Sequence, residues 1–262
     1  MAFGVTFHHW IAGWLVLGAA MSGCRDRASS SADPDAGAPL LAPLTAESWL
    51  VALPVQGFAD HRLAVPLGAT SARPLWIALH GGNDRAEWAC GSYRHVTRSR
   101  GFVLCPAGVP GAEHQRFGLG AAADTASELR AALPRVKARF REHLARGSVV
   151  LSALGPSVEH ALELAREEPS FFATLVLVNG STRTFRPPLV THFAQGGGKR
   201  VLFVCSAGAC DADVDLRAQS LRSAGVAARV VRPERGHGLD ADVVARLARE
   251  WDWLTSEDRR WR

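Results

Sequence analysis

The residues with the clearest chemical meaning lie where a predicted strand turns into a predicted helix. The segment 149–169 reads VVLSALGPSVEHALELAREEP, with a short β-branched strand, a turn of small residues and a long amphipathic helix. In the motif G-x-S-x-G this turn exposes a serine hydroxyl for nucleophilic attack. The five residues in that register read ALGPS, so Gly155 occupies the nucleophile's position. Glycine has no side chain with which to attack a substrate.

Ser157, two residues later, is the alternative nucleophile. Shifting the motif to GPSVE (155–159) makes it G-x-S-x-E, but the strand is then two residues longer, the helix is shorter, and Pro156 lies inside the turn. A serine at a helix start also has a structural explanation, because its hydroxyl can satisfy a free backbone amide. The spacing favours the structural explanation for Ser157 and leaves the catalytic one open.

The elements that would position this turn alternate between strand and helix, which indicates an α/β fold with a mostly parallel sheet and helices on both faces. The chain has 262 residues, of which 47% are apolar, enough for one large core, and it has no internal repeat. We expect a single domain over residues 46–262, with a break or kink at Pro134 inside the second helix. The predicted strands are His61–Leu67, Leu75–Leu79, Phe102–Cys105, Val149–Leu154, Thr174–Val178, Val201–Cys205 and Ala228–Val231. The predicted helices are Ala86–Ser99, Ala122–Leu144, Ser157–Glu168, Asp213–Ala224 and Asp242–Thr255.

Three landmarks follow one another in this alternation. The first is a strand that runs into His80-Gly81-Gly82-Asn83. The second is the strand, turn and helix around Gly155, followed by a further strand. The third is a strand at 201–204 before an acidic loop, and then a strand that precedes Gly236-His237-Gly238. Together they extend from the late forties to the end of the chain.

In this order the landmarks resemble an α/β-hydrolase-fold protein, with a layout similar to small bacterial esterases of the dienelactone-hydrolase and polyester-depolymerase type. Nucleophile, acid and histidine follow one another along the chain in the order of this fold. The resemblance implies an oxyanion-hole loop at His80, Gly81, Gly82 and Asn83, and it places Pro156 where the second oxyanion amide belongs. It also implies Asp211 as the surviving candidate for the acid and His237 as the histidine.

Two of these implied roles have competing explanations. Alanine occupies the simplest register for the acid, and Asp211 also fits the structural role of a carboxylate at a helix N-terminus. His237 has a suitable setting between two glycines, but a histidine without its serine is only a loop residue that can titrate.

The damaged motif determines which function classes remain. An acyl-transfer serine works because a histidine takes its proton and an acid orients that histidine, and without the serine the covalent route is lost. We therefore expect a catalytically degenerate α/β-hydrolase-fold protein that keeps the pocket above the sheet as a binding surface. The alternative is a secreted serine esterase or acyl hydrolase that uses Ser157, Asp211 and His237. A structural protein of the envelope on the same scaffold is a third class, because a fold does not dictate a function.

The N-terminus predicts export. Residues 10–21 form a 12-residue apolar run, which is too short to span a bilayer but suits the core of a signal peptide. The run ends in Met21-Ser22-Gly23-Cys24, which resembles a bacterial lipobox although leucine is replaced by Met21 and no Lys or Arg precedes the run. We expect a signal peptide over 1–23, lipidation at Cys24, and a flexible tether over 24–45. The predicted location is the bacterial cell envelope.

Four further cysteines, Cys90, Cys105, Cys205 and Cys210, suit an oxidising compartment. The pairings 90–105 and 205–210 close the shortest loops. Four cysteines allow three connectivities, and buried free thiols are the alternative explanation.

The remaining composition narrows the choice of partners. The net charge of +5 comes almost wholly from scattered arginines, whereas a nucleic-acid surface needs a clustered basic stripe. His80, His160, His192 and His237 lack metal-ligand spacing, so we expect no metal, and we expect no cofactor. The expected partner is a small-molecule or acyl-type ligand bound by a monomer, with membrane contact only through the lipid anchor.

Overall fold

Eight strands form one sheet in the order β1-β2-β4-β3-β7-β8-β9-β10, and two short strands form a separate hairpin. The structure, a computed structural model, describes residues 40–262 except 207, 209, 211, 235 and 237. The strands are β1 (Leu50–Leu53), β2 (His61–Ala64), β3 (Leu75–Leu79), β4 (Phe102–Cys105), β5 (Val109–Pro110), β6 (Phe117–Gly118), β7 (Val150–Leu154), β8 (Thr174–Val178), β9 (Arg200–Val204) and β10 (Ala227–Val231). The helices are α1 (Ala86–Val96), α2 (Ala122–Phe140), α3 (Ser157–Glu167), α4 (Pro187–Gln195), α5 (Val214–Ser223), α6 (Ala241–Arg249) and α7 (Trp251–Thr255), followed by a 3₁₀ turn at Arg259–Trp261.

The sheet is parallel from β4 to β10, whereas β1 and β2 add two antiparallel strands at one edge. All five residues of β3, β7 and β9 are buried, as a parallel strand covered on both faces requires. Successive residues of β3 pack into two different hydrophobic cores, one on each face of the sheet. Leu75, Ile77 and Leu79 pack with the side of α2 and α3, and Trp76 and Ala78 pack with the side of α1 and α6. The predicted fold class is confirmed.

Helix α2 shows that the break predicted at Pro134 is wrong. The helix continues from Ala122 to Phe140 with Pro134 inside it. Pro134 and Arg130 are both exposed, so the carbonyl of Arg130 that loses its amide partner can be hydrated. Burial of the opposite helix face, which includes Leu129 and Val136, stabilises the continuous helix.

Both cysteine pairs that close the shortest loops are disulfide-bonded. Cys90 and Cys105 connect α1 to β4 with a Cα–Cα distance of 5.8 Å. Cys205 and Cys210 are joined across the loop after β9 with a Cα–Cα distance of 5.4 Å. Both distances lie within the range that a disulfide can bridge.

The folded body begins before the end of the predicted tether. The amides of Leu41 and Leu44 donate hydrogen bonds to the carbonyls of Thr70 and Ala69 at 2.8 Å and 3.0 Å, and Leu44 is buried in the core. These contacts assign residues 41–44 to the body, because their backbone and apolar groups are satisfied there. The signal peptide, Cys24 and the rest of the tether lie outside the described residues. Within the described part of the chain, no helix is long and apolar enough to cross a membrane.

Candidate functional site

The turn between β7 and α3 has the geometry of a nucleophile elbow. We call residues 154–157 the elbow. Gly155 has φ +58°, which is in the left-handed region that favours glycine, and α3 begins two residues later at Ser157. The Gly155 amide donates to the carbonyl of Val178 at the end of β8, at 2.8 Å. The chain therefore reverses sharply at Gly155, where a catalytic serine is exposed in motifs of this layout.

The space that a side chain at Gly155 would enter is open. A Cβ atom added there would meet a single described atom within 4 Å, the carbonyl oxygen of Asn179, at 4.0 Å. Among the described residues, a side chain at this position would therefore meet no steric obstacle. The position differs from Gly180, where an added Cβ would lie 2.3 Å from the carbonyl oxygen of Gly155 and 2.4 Å from Cγ2 of Val158. The end of β8 thus supports the elbow by close backbone packing.

Gly180→Ala should therefore disturb the elbow and lower the free energy of unfolding by about 1–3 kcal/mol, because the new methyl group overpacks against backbone. Gly91→Ala in α1 is the matched control. Its Cβ would meet Trp49 at an ordinary 3.9 Å, and alanine is favoured in a helix by up to about 1 kcal/mol. Urea denaturation of the two variants measures the difference. Equal midpoints would contradict the role assigned to Gly180.

Ser157 points away from the open side of the elbow. Only 3% of its surface is exposed, and its Oγ donates a short hydrogen bond to the carbonyl oxygen of His80. Ser157 is the first residue of α3, in the first turn as the sequence indicates, but its hydroxyl bonds to the neighbouring loop instead of a helix amide. This bond ties the elbow to the loop after β3.

That loop contains the residues expected to form an oxyanion hole. The His80 ring is buried, with Nδ1 2.8 Å from the Gly81 carbonyl oxygen and Nε2 3.0 Å from that of Ala107. The Gly81 amide donates to Asp84 Oδ2 at 3.3 Å, so it already has an acceptor. The Gly82 amide has no acceptor among the described residues, and a Cβ added at Gly82 would lie 3.8 Å from Cγ of Pro156.

Pro156 follows Gly155 directly and has no backbone N–H. In the α/β-hydrolase motif the residue after the nucleophile donates one of the two amides to the oxyanion. Pro156 therefore cannot supply the backbone amide that the motif expects at this position. Asn83, the last residue of the predicted loop, is exposed with φ +53°.

A cleft of about 620 Å³ opens beside the elbow, and we call it the elbow cleft. It is lined by Gly155, Pro156, Glu159, Asn179, Gly180, Ser181, Arg183, Gly208, Cys210 and Ala212. The candidate acid Asp211 and the candidate histidine His237 lie outside the described residues, so their roles stay predictions. In the described part of the chain, no group of three His, Cys, Asp or Glu side chains is arranged to hold a metal ion.

Comparison with solved structures identifies the fold. TT1662 of Thermus thermophilus is similar over 80% of this chain and 98% of its own, with TM-score 0.57 and 16% identity. The Bacillus cereus carboxylesterase is similar over 76% and 96%, with TM-score 0.55 and 15% identity. Est1E of Butyrivibrio proteoclasticus is similar over 80% and 98%, with TM-score 0.57 and 11% identity. The chain has the α/β-hydrolase fold. No protein-family model and no curated protein matches it.

Asn179 is a site residue that the sequence predictions missed. It follows β8 with φ +50°, and its side chain clamps the start of the next loop: Oδ1 accepts from the Ser206 amide at 2.8 Å, and Nδ2 donates to Ser206 Oγ at 3.2 Å. The pair Asn179-Gly180 after a buried strand is a turn signal that could have indicated this position. In this α/β-hydrolase fold the two hydrogen bonds join the turn after β8 to the loop after β9, and residues of both segments line the elbow cleft.

A buried polar cluster next to the loop after β3 was also missed. Glu128 Oε1 accepts from the Gly108 amide at 2.9 Å and lies 3.4 Å from Nδ1 of His61. Burial raises the pKa of Glu128 and lowers the pKa of His61. His80 lies beside this cluster and carries the carbonyl that Ser157 binds. The cluster holds the loop after β4 against the loop after β3, and its members are too far apart in sequence to form a motif.

Proposed function

We propose that this α/β-hydrolase-fold protein is a binding protein whose esterase site has lost catalytic function. The observation that carries the proposal is Gly155, which occupies the elbow in a left-handed conformation that suits glycine and which has no nucleophilic side chain. Because the chain has this fold and is similar to esterase structures, acyl transfer is the reaction that the elbow should be tested against. That chemistry needs a nucleophilic side chain, normally serine, at this turn, because the histidine and the acid only activate it.

Pro156 supports the proposal independently of the missing hydroxyl. Removal of one oxyanion donor typically costs about 10²–10³ in turnover. Gly155 and Pro156 together therefore lack the nucleophile and the adjacent donor in the same register. A water molecule activated by a histidine is a conceivable substitute nucleophile, but it would lack half of the oxyanion hole.

The second candidate function is a serine esterase that uses Ser157, with Asp211 and His237. Its support is the presence of a hydroxyl close to the elbow. The geometry of Ser157 speaks against it, because the side chain is buried and its proton is donated to the His80 carbonyl. Catalysis by Ser157 would require this hydrogen bond to break and the buried hydroxyl to become exposed.

The elbow cleft supports a small ligand, which we propose to be a neutral or acyl-type molecule bound by a monomer. The cleft exposes backbone at Gly155, Gly180 and Gly208, together with polar side chains such as Glu159 and Asn179. The Gly82 amide, which has no acceptor among the described residues and lies near Pro156, can donate one hydrogen bond to a carbonyl group. A cavity of this volume is within the range of small-molecule sites.

A fluorophosphonate probe, which labels activated serines covalently, tests the function directly. The wild-type protein should remain unlabelled under conditions in which a serine esterase is labelled completely. Ser157→Ala serves as the matched variant, because it removes the alternative nucleophile alone. Labelling of the wild type that disappears in Ser157→Ala would show that the second candidate is correct.

We further propose that the protein is exported and anchored in the bacterial cell envelope through Cys24. The support is the apolar run at residues 10–21 that ends in the lipobox-like residues 21–24. Cys24→Ala should move the protein from the membrane fraction to the soluble fraction, because it removes the acceptor of the acyl chains. Fractionation with detection of the folded domain measures this shift. A mutant that stays in the membrane, or a soluble and uncleaved wild type, would contradict the proposal.

A further inference from the structure

The Cys205–Cys210 disulfide forms part of the walls of two neighbouring clefts. Cys210 is only half-buried and lines the elbow cleft together with Gly208 and Ala212. A second cleft, of about 440 Å³, shares Gly208, Cys210 and Ala212 with the elbow cleft. It is lined by Cys205, Ser206, Gly208, Cys210, Ala212, Val214, Arg232, Pro233 and Glu234. A small molecule in either cleft would therefore lie beside Cys210.

The two sulfur atoms of this bridge differ in their surroundings. Cys205 directly follows β9, is 5% exposed, and its amide donates to the Val231 carbonyl at 2.9 Å. Cys210 is half-buried and lines both clefts, whereas Cys205 lines only the second one. Thiol–disulfide exchange depends on which sulfur an attacking thiolate can reach. The geometry therefore makes Cys210 the site of attack and Cys205 the leaving group.

The other disulfide of the protein provides an internal contrast. Cys90 and Cys105 are both fully buried between α1 and β4, and Cys90 Sγ lies 3.3 Å from the Val103 carbonyl oxygen. A thiol cannot reach this bridge unless the fold opens. The two bridges thus differ in access within one chain.

Loss of the 205–210 bridge should also leave the fold intact. Its cysteines are 5 residues apart, whereas Cys90 and Cys105 are 15 apart. A disulfide that closes a shorter loop restricts the unfolded chain less, so its removal costs less stability. The Asn179–Ser206 clamp also holds the start of this loop without the disulfide.

We propose that Cys205–Cys210 is a thiol–disulfide exchange site that reacts with small dithiols. A thiolate of the dithiol attacks Cys210 Sγ, a new S–S bond forms, and the bond to Cys205 breaks with its electron pair on Cys205. The second thiolate of the dithiol then attacks its own sulfur in the mixed disulfide and releases Cys210. The dithiol is oxidised to a disulfide, both cysteines are reduced, and the two protons lost by the dithiol pass to the two cysteine thiolates.

The experiment treats the full-length protein with dithiothreitol under native conditions, followed by an acid quench, alkylation and peptide mapping. Cys205 and Cys210 should be alkylated about tenfold faster than Cys90 and Cys105, or more, while the circular dichroism spectrum stays native. With the monothiol glutathione as the probe, the mixed disulfide should form on Cys210.

Single-cysteine variants test the assigned direction of attack. In Cys205→Ser, the free Cys210 should react rapidly with iodoacetamide, and in Cys210→Ser the buried Cys205 should react at least about tenfold more slowly. The comparison of the two disulfides in the wild type does not depend on these variants being folded. Equal reduction rates for the two bridges, a glutathione adduct on Cys205, or reduction only in denaturant would each overturn the proposal.

Discussion

Wild-type protein should hydrolyse simple acyl esters at the background rate, and the double variant Gly155→Ser with Pro156→Gln should gain turnover. The elbow has room for this change, since among the described residues a Cβ at Gly155 would meet only the Asn179 carbonyl oxygen, at 4.0 Å. A serine at φ +58° is strained, but this strain is typical of the nucleophile in the G-x-S-x-G motif. Replacement of Pro156 restores the backbone amide that the oxyanion requires.

The single variants separate the nucleophile from the oxyanion donor. Gly155→Ser alone should be about 10²–10³ slower than the double variant, because it lacks one oxyanion donor. Pro156→Gln alone should stay at background, because it has no nucleophile. Hydrolysis of p-nitrophenyl butyrate, measured for all four proteins at equal concentration, provides the comparison.

Two controls relate any gained activity to the proposed residues. His237→Ala in the double variant should abolish the gain, because the resemblance assigns the general base to His237. Ser157→Ala should have no effect on the wild-type rate. Robust turnover by the wild type that is lost in Ser157→Ala would refute the proposed loss of function and identify Ser157 as the nucleophile.

The parallel strands could be predicted because each is a short apolar run bounded by turn residues, as the fully buried β3 and β7 show. The elements that were missed carry weaker signals. Strand β1 is four residues long and lies at the sheet edge, and β5 and β6 have two residues each. Helix α4 begins with two prolines, which the first turn of a helix tolerates because its amides need no intrahelical partner.

The site could be predicted where local spacing determines it. The place of Gly155 follows from the strand and helix on either side, and the structure puts a glycine with positive φ there. The partner of Ser157 could not be predicted, because the His80 carbonyl lies 77 residues away in sequence and becomes its neighbour only when β3 pairs with β7. The same holds for Glu128 and His61, which meet through the packing of α2 on the sheet.

Trp261→Ala should lower the free energy of unfolding by about 3–5 kcal/mol, although it changes the penultimate residue of the chain. Trp261 is 2% exposed, and its ring packs edge-on against Trp251 at 5.1 Å and Trp76 at 6.2 Å between ring centroids. Gly101 leaves the space for this ring, since a Cβ there would lie 2.3 Å from it. The alanine variant leaves a cavity in the core that includes α1 and β3.

The neighbouring residues hold the C-terminal turn in place, so collapse cannot fill this cavity. Arg260 donates to the carbonyls of Arg146 and Ser148 at 2.6 Å and 2.7 Å, and the Arg262 carbonyl accepts from Arg73 at 2.8 Å. Trp88→Ala is the matched control, because Trp88 is 50% exposed and its cation–π contacts with arginines contribute about 1 kcal/mol or less. Urea denaturation should show a much lower midpoint for Trp261→Ala than for Trp88→Ala, with similar slopes. Equal midpoints would mean that the C-terminal turn does not contribute to the core.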